Sequence, residues 1–293
     1  MAPSSSSRPV ADSDRITLDE FREALARYPA VIQAVSDIKG AKTGQPTLAE
    51  LDTFRYQDAP ARFGLTADAA PLGPDDVKTL VTWKLRHGKF RPTLMKLVAS
   101  NNPEAVRTVV QEALTVYKKS LTAAADGASS FSSSSSSLIS AAPSPAAAIA
   151  AVRVLCLLRG IGPATASLLL AVHDPERVVF FGDEVYAWLC GGAAHLPPKK
   201  YNEREYEDVS RRAAALQARL NKSGDGGGDV RAVDIEKVAF VLLKQDSKPA
   251  ETAPPPPQVK TEKARPAKRK KPPTEVQPAA TGSVRRSKRV RHT

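Results

Sequence analysis

The sequence predicts an all-α protein, a helical bundle. Three observations carry this. Apolar residues recur at i, i+3, i+4 spacing over most of the chain. Two Thr-x-x-Glu capping boxes open such stretches, Thr17 with Glu20 and Thr47 with Glu50. No pair of period-2 runs joined by hairpin-turn residues reads as two strands.

Taken in order, residues 1–14 are polar and read as a disordered leader. A helix follows from Thr17 through Val35, crossing Pro29, and a short one covers 47–54. Residues 55–73 read as irregular. Pro74-Asp75-Asp76 starts a helix with acids at the positive end of its dipole. Its apolar face is Val77, Leu80, Val81, Trp83 and Leu85, and His87-Gly88 ends it. The next helix begins at Arg91-Pro92 and turns Leu94, Leu97 and Val98 inward. Asn101 or Asn102 caps a third, from Pro103 to about Leu121. Residues 122–145 are Ala/Ser-rich, with a serine run at Ser132–Ser137, and read as a looped-out insert. Beyond it come helices over 146–159, 163–173, 183–189, 202–220 and 233–244, with Val178–Phe181 extended. The expected organisation is one helical domain over 15–245 and a disordered, Pro-rich basic tail over 246–293.

Charge is unevenly placed. The chain carries +12, yet 13 of its 43 basic and only 3 of its 31 acidic residues lie from Lys248 onward. That leaves +10 on the tail and +2 on the rest. The clusters Lys268-Arg269-Lys270-Lys271 and Arg285-Arg286-Ser287-Lys288-Arg289 suit phosphates and nuclear import receptors. They predict a nuclear protein that meets DNA without sequence preference. The two cysteines, Cys156 and Cys190, have no metal-ligand spacing, so no metal site is expected, and they read as free thiols. No apolar run reaches the ~18 residues of a membrane span, so no membrane partner is expected. P-loop, dinucleotide and nucleophile-elbow patterns are absent.

The stretch most informative about function is VRVLCLLRGIGPATASLLL, Val152–Leu170. Gly160 and Gly162 permit a sharp turn between two helices, and Ile161 plugs that turn into the core. Pro163 suits a first helical position. The amides that open the second helix are a natural phosphate seat. A hairpin that only packs its helices is the alternative. The run Leu158–Ala166 resembles the helix-hairpin-helix motif of DNA-binding proteins, whose usual form is L-x-G-I-G-x-x-T-A. The resemblance implies phosphate binding by Arg159, Gly160, Ile161, Gly162, Ala164 and Thr165. It also implies a monovalent cation at the 160–162 carbonyls; no other cofactor is expected.

A wider resemblance, over about 146–190, is to the HhH-GPD base-excision DNA glycosylases. These place a catalytic aspartate about twenty residues beyond the hairpin, after an apolar extended segment. VVFFGD ends in Asp183, 21 residues after Gly162. In that family the carboxylate stabilises positive charge on the sugar once the base is flipped out. The chain departs from the pattern at Ala164, where bifunctional members carry a lysine. It departs again at Glu184-Val185 and in lacking the iron–sulfur cysteines. Read without the family, Asp183 is the N-cap of its helix.

The run WKLRHGKFRP, Trp83–Pro92, adds Lys84, Arg86, Lys89 and Arg91 as DNA-contacting candidates. Trp83 and Phe90 read as core, or as residues that stack on a base. His87, His173 and His195 read as surface or cap residues; Tyr201, Tyr206 and Trp188 read as core. Three functions follow: a non-catalytic nuclear DNA-backbone-binding protein, a monofunctional DNA glycosylase using Asp183, or a protein-interaction scaffold using the charged 202–220 helix and the tail.

Overall fold

The computed structural model describes residues 11–41, 43–65, 72–128, 145–191, 200–222 and 229–245. The described residues are all helix and connecting turn, without a strand. The helices are α1 (Leu18–Lys39), α2 (Leu48–Thr53), α3 (Ala59–Phe63), α4 (Pro74–His87), α5 (Leu94–Ala99), α6 (Pro103–Ala128), α7 (Pro145–Leu155), α8 (Pro163–His173), α9 (Asp183–Gly191), α10 (Glu203–Lys222) and α11 (Ala232–Gln245). None is long and apolar enough to cross a membrane. His195, the Ser132–Ser137 run and the tail clusters at 268–271 and 285–289 lie outside the described residues.

Both capping boxes form as read, each threonine hydroxyl accepting from its glutamate's amide and the carboxylate reaching back. α8 is buried from Ala164 to His173 and forms the centre of the bundle, as an all-round apolar helix must. α3, α4, α7 and α10 pack around it, and α1 packs on α11, bringing the two ends of the described chain together. The described residues from Ile16 to Leu243 contribute to one hydrophobic core.

Several expectations need correction. Residues 11–14 are not loose leader: Ala11 O accepts from Trp188 Nε1 at 2.8 Å and Ser13 O from Arg219 at 2.9 Å. The stretch read as irregular holds a π-helical turn, Phe54–Asp58, and α3. Pro60 has no N–H and its ring crowds the carbonyl four residues back, so the helix widens there instead of breaking. α6 continues to Ala128 because alanine is the strongest helix former, so the insert is shorter than its composition suggested. Asn102 is the cap of α6, its Oδ1 accepting from Glu104 N at 2.8 Å. Asn101 instead clamps the backbone N–H and C=O of Arg159 at 2.8 and 2.9 Å.

His87 and His173 are buried, not superficial. His173 Nδ1–H donates to Phe63 O at 2.6 Å, and Leu65 N returns a bond to His173 O at 2.9 Å, tying α3 to α8. His87 stacks on Trp83 at 4.5 Å and lies 4.3 Å from the Phe240 ring. Trp83 is core as expected, but Phe90 is 74% exposed. Cys156 and Cys190 are free and partly buried, and burial pushes both thiols up, Cys156 to about 11.

Candidate nucleic-acid interface

The hairpin is held by two glycines with different jobs. Gly160 has φ +77°, and a Cβ there would sit 2.9 Å from Leu97 Cβ, so glycine is needed for the turn to dock on α5. Gly162 has extended φ, and a Cβ there would meet nothing within 4 Å. Its glycine is not needed for packing. Ile161 fills the core, 4% exposed. The amides of Gly162 and Ala164 have no hydrogen-bond partner among the described residues, and they open α8.

The extended segment after α8 is pinned from both sides. Phe180 N donates to Glu236 Oε1 at 2.7 Å and Phe181 N to Ser167 Oγ at 2.9 Å. Gly182 N then bonds Phe180 O at 2.8 Å in a tight turn, and Gly182 O accepts the first bond of α9. Gly182 thus holds the cap position and Asp183 is the first helical residue, one place later than the capping reading put it. Asp183 Oδ1 accepts from the Tyr201 hydroxyl. Tyr201 has φ +54°, the positive φ found at no other non-glycine among the described residues. Backbone strain of that kind collects at functional sites.

These parts meet in a cleft of about 260 Å³. Gly160, Gly162, Ala164 and Thr165 line one wall; Phe181, Asp183 and Tyr201 another; Lys84, His87, Lys89 and Arg91 a third. Four cations (Lys84, Lys89, Arg91, Lys200) face two carboxylates (Asp183, Glu184), so the cleft favours an anion. Its volume falls just below the ~300–1,000 Å³ of drug-sized pockets; it suits a small moiety such as one sugar or ring.

Lys84 is the most unusual cation. It is partly buried, and its Nζ donates to Thr165 Oγ1 at 2.7 Å. Burial lowers its pKa to about 8, the Arg91 charge pushes the same way, and Asp183 opposes them. Arg91 sits over the Tyr201 ring at 4.9 Å. Burial, then the hydrogen bond to Asp183, pushes the Tyr201 hydroxyl up to about 12, so it donates. His87 Nε2 is buried without a partner among the described residues. Burial, reinforced by the charges of Lys39 and Lys244, drops the imidazole to about 3 and keeps it neutral.

The structure brings together Gly160, Gly162, Ala164, Thr165, Asp183, Lys84, Lys89 and Arg91, eight of the candidates. It separates three others. Arg86 lies about 200° around α4 from Lys84; its guanidinium donates to Pro46 O and Gly40 O, so it fastens a turn. Ile161 N is used by Leu158 O at 3.1 Å, so that amide is not open to a ligand. The Arg159 backbone is taken by Asn101, and its side chain does not line the cleft. Sequence reasoning missed Tyr201 and His87 as cleft residues. Tyr201 follows Lys199-Lys200 in a segment with no periodicity, and His87 looked like a helix terminus. No family model, curated protein or solved structure matches the chain. Among the described residues no group of three or more His, Cys, Asp or Glu side chains could hold a metal.

Proposed function

We propose that this protein binds the DNA backbone, seating a strand phosphate on the Gly162 and Ala164 amides and admitting one sugar or base to the cleft beside it. The observation that carries the reading is the convergence of the hairpin, three cations of the Lys84–Arg91 run and Asp183 on a single cleft. These lie far apart in sequence, and a hairpin that only packed helices would not need them together. The tail clusters would add non-specific phosphate contacts and an import signal, making the protein nuclear. Asp183 at the cleft wall favours a second reading, hydrolysis of a glycosidic bond, in which the carboxylate would stabilise charge on an everted nucleotide's sugar.

The test is a salt titration of duplex-DNA binding by residues 1–250, which contain every described residue and lack most of the tail. Affinity should fall steeply with salt, with a log–log slope of about −0.9 per phosphate contacted. Gly162→Asp places a carboxylate at the seat without a clash. It should weaken binding about tenfold, some 1.4 kcal/mol, while leaving the melting temperature unchanged. Binding no tighter than ~10⁻⁴ M would assign DNA contact to the tail alone and favour a protein-interaction role for the folded part.

A further inference from the structure

Burial disfavours the ammonium of three lysines among the described residues, Lys39, Lys84 and Lys237. Two of them are occupied. Lys39 donates to the backbone carbonyls of Arg86 and His87, and Lys237 lies 4.6 Å from the centre of the Tyr56 ring. Lys84, on α4, has a hydroxyl as its hydrogen-bond partner, Thr165 Oγ1 in the first turn of α8, at 2.7 Å. No carboxylate forms an ion pair with it among the described residues; Glu184 in the same cleft is taken by Lys244 at 3.5 Å. Placing an ammonium where it loses water and gains only a hydroxyl is costly for a purely structural contact. A neutral hydrogen-bonding side chain would fasten α4 to α8 more cheaply. A lysine kept partly deprotonated at the edge of a cleft is a nucleophile near neutral pH. With its pKa near 8, about one molecule in ten carries the free amine at pH 7.

The neighbours of this amine point to what it would meet. The Gly162 and Ala164 amides open α8 beside Thr165, have no partner among the described residues and suit a phosphate. His87 Nε2, bordering the same cleft, is buried without a hydrogen-bond partner. With its proton on that nitrogen, the neutral ring can donate to a carbonyl oxygen. The cations of the cleft favour an anion. A small anion that combines a phosphate with a carbonyl open to attack is an acyl phosphate. A cleft of about 260 Å³ holds one with a short acyl chain.

We infer that Lys84 is a modification site, acylated by a small acyl phosphate seated on the Gly162 and Ala164 amides, and that acylation closes the cleft to DNA. The inference rests on the reading of those amides as a phosphate seat. The amine lone pair forms the N–C bond at the acyl carbon. The C–O bond to phosphorus breaks, and the phosphate leaves with its electron pair. The proton given up by nitrogen goes to that phosphate, so an amide and hydrogen phosphate are formed with no oxidant or reductant. The amide keeps an N–H for Thr165 but carries no charge, and the cleft loses one of its four cations. The charged groups around Lys84 are Lys89 and Arg91 after α4, Asp183 and Glu184 on α9, and Lys200 before α10.

The experiment incubates the full chain with acetyl phosphate over a range of concentrations and follows acetylation of each lysine by peptide mass mapping. The rate at Lys84 should saturate, fall when inorganic phosphate is added, and rise with pH to a midpoint near 8. Lys119, exposed on α6, should react in simple proportion to the reagent and ignore phosphate. Gly162→Asp should abolish saturation at Lys84. Duplex DNA should protect Lys84, and the acetylated protein should bind DNA with a log–log salt slope shallower by about 0.9, the share of one phosphate contact. Lys84→Arg keeps a cation beside Thr165 and should hold the original slope after the same treatment. Labelling of Lys84 that is protected by DNA yet neither saturates nor responds to phosphate overturns the inference and leaves the backbone-binding reading standing. Saturable labelling that DNA does not prevent overturns the DNA reading and leaves an acyl phosphate site. Saturable labelling by acetyl-coenzyme A at lower concentration than by acetyl phosphate would overturn the acyl phosphate as donor and make it a thioester on a phosphate-bearing carrier.

Discussion

Asp52 and Asp183 each accept a hydrogen bond from a tyrosine hydroxyl, in very different places. Asp52 is 7% exposed and takes Tyr28 Oη at 2.8 Å and Trp83 Nε1 at 2.9 Å, deep between α1, α2 and α4. Desolvation raises its carboxyl, and the two donors offset only part of that cost. Asp183 takes Tyr201 at the wall of an open cleft, with Lys84 and Arg91 across from it. The chemistry of the pair is the same. Access differs: closing a carboxylate among aromatic rings turns it into a structural joint, and leaving it at a cationic opening leaves it able to meet a ligand.

The largest expected difference is in stability. Asp52→Leu leaves the Tyr28 hydroxyl and the Trp83 indole N–H buried and unpaired, each worth about 1–3 kcal/mol. Urea unfolding should show a loss of about 3 kcal/mol, with DNA affinity of the folded protein unchanged. A loss no larger than that of Asp183→Asn would break the comparison.

Next comes acid sensitivity. His87 is held near 3 and His173 near 4, both by burial first. Their folded pKa values lie below the unfolded value of about 6.5. The unfolded chain therefore binds protons that the folded one refuses. Stability is complete above about pH 6.5 and falls as pH drops toward the folded values, by about 2 kcal/mol per histidine at pH 5. Asp52 and Glu236, whose carboxyls burial raises, act in the opposite direction. His87→Phe should therefore narrow the gap between melting temperatures at pH 7 and pH 5. An unchanged gap would mean that His87 is not kept neutral by the core.

The smallest expected effect on stability belongs to Asp183→Asn, within about 0.5 kcal/mol, because the amide oxygen can still accept from Tyr201. Its signature is electrostatic. Removing the negative charge disfavours the Lys84 ammonium, so the pH midpoint of Lys84 acetylation by acetic anhydride should move below that of the unaltered protein. Arg91→Gln removes a positive charge and should move it upward. Shifts of the same sign in both variants would show that these charges do not act on Lys84.

Much of this was legible in the chain itself. Thr17 with Glu20 and Thr47 with Glu50 marked helix starts because capping is a local exchange of hydrogen bonds. Gly160-Ile161-Gly162 announced a turn, and the spacing to Asp183 placed a carboxylate after an extended segment. Other features were not legible because their causes are distant in sequence. Nothing near Arg86 says that it fastens carbonyls at Gly40 and Pro46, and nothing near Asn101 says that it grips Arg159. The continuation of α6 to Ala128 was readable from alanine propensity and was obscured by the serines that follow.

Periodicity, caps and glycine turns determined by themselves that this protein is helical and that two of its helices meet at a glycine turn, because those signals depend on neighbours a few residues apart. Only the tertiary structure decided that Lys84, Asp183, Tyr201 and His87 border one cleft with that turn. It also decided that Asp52 does not, since burial and charge are set by which helices pack together, and the spacing along the chain does not record that.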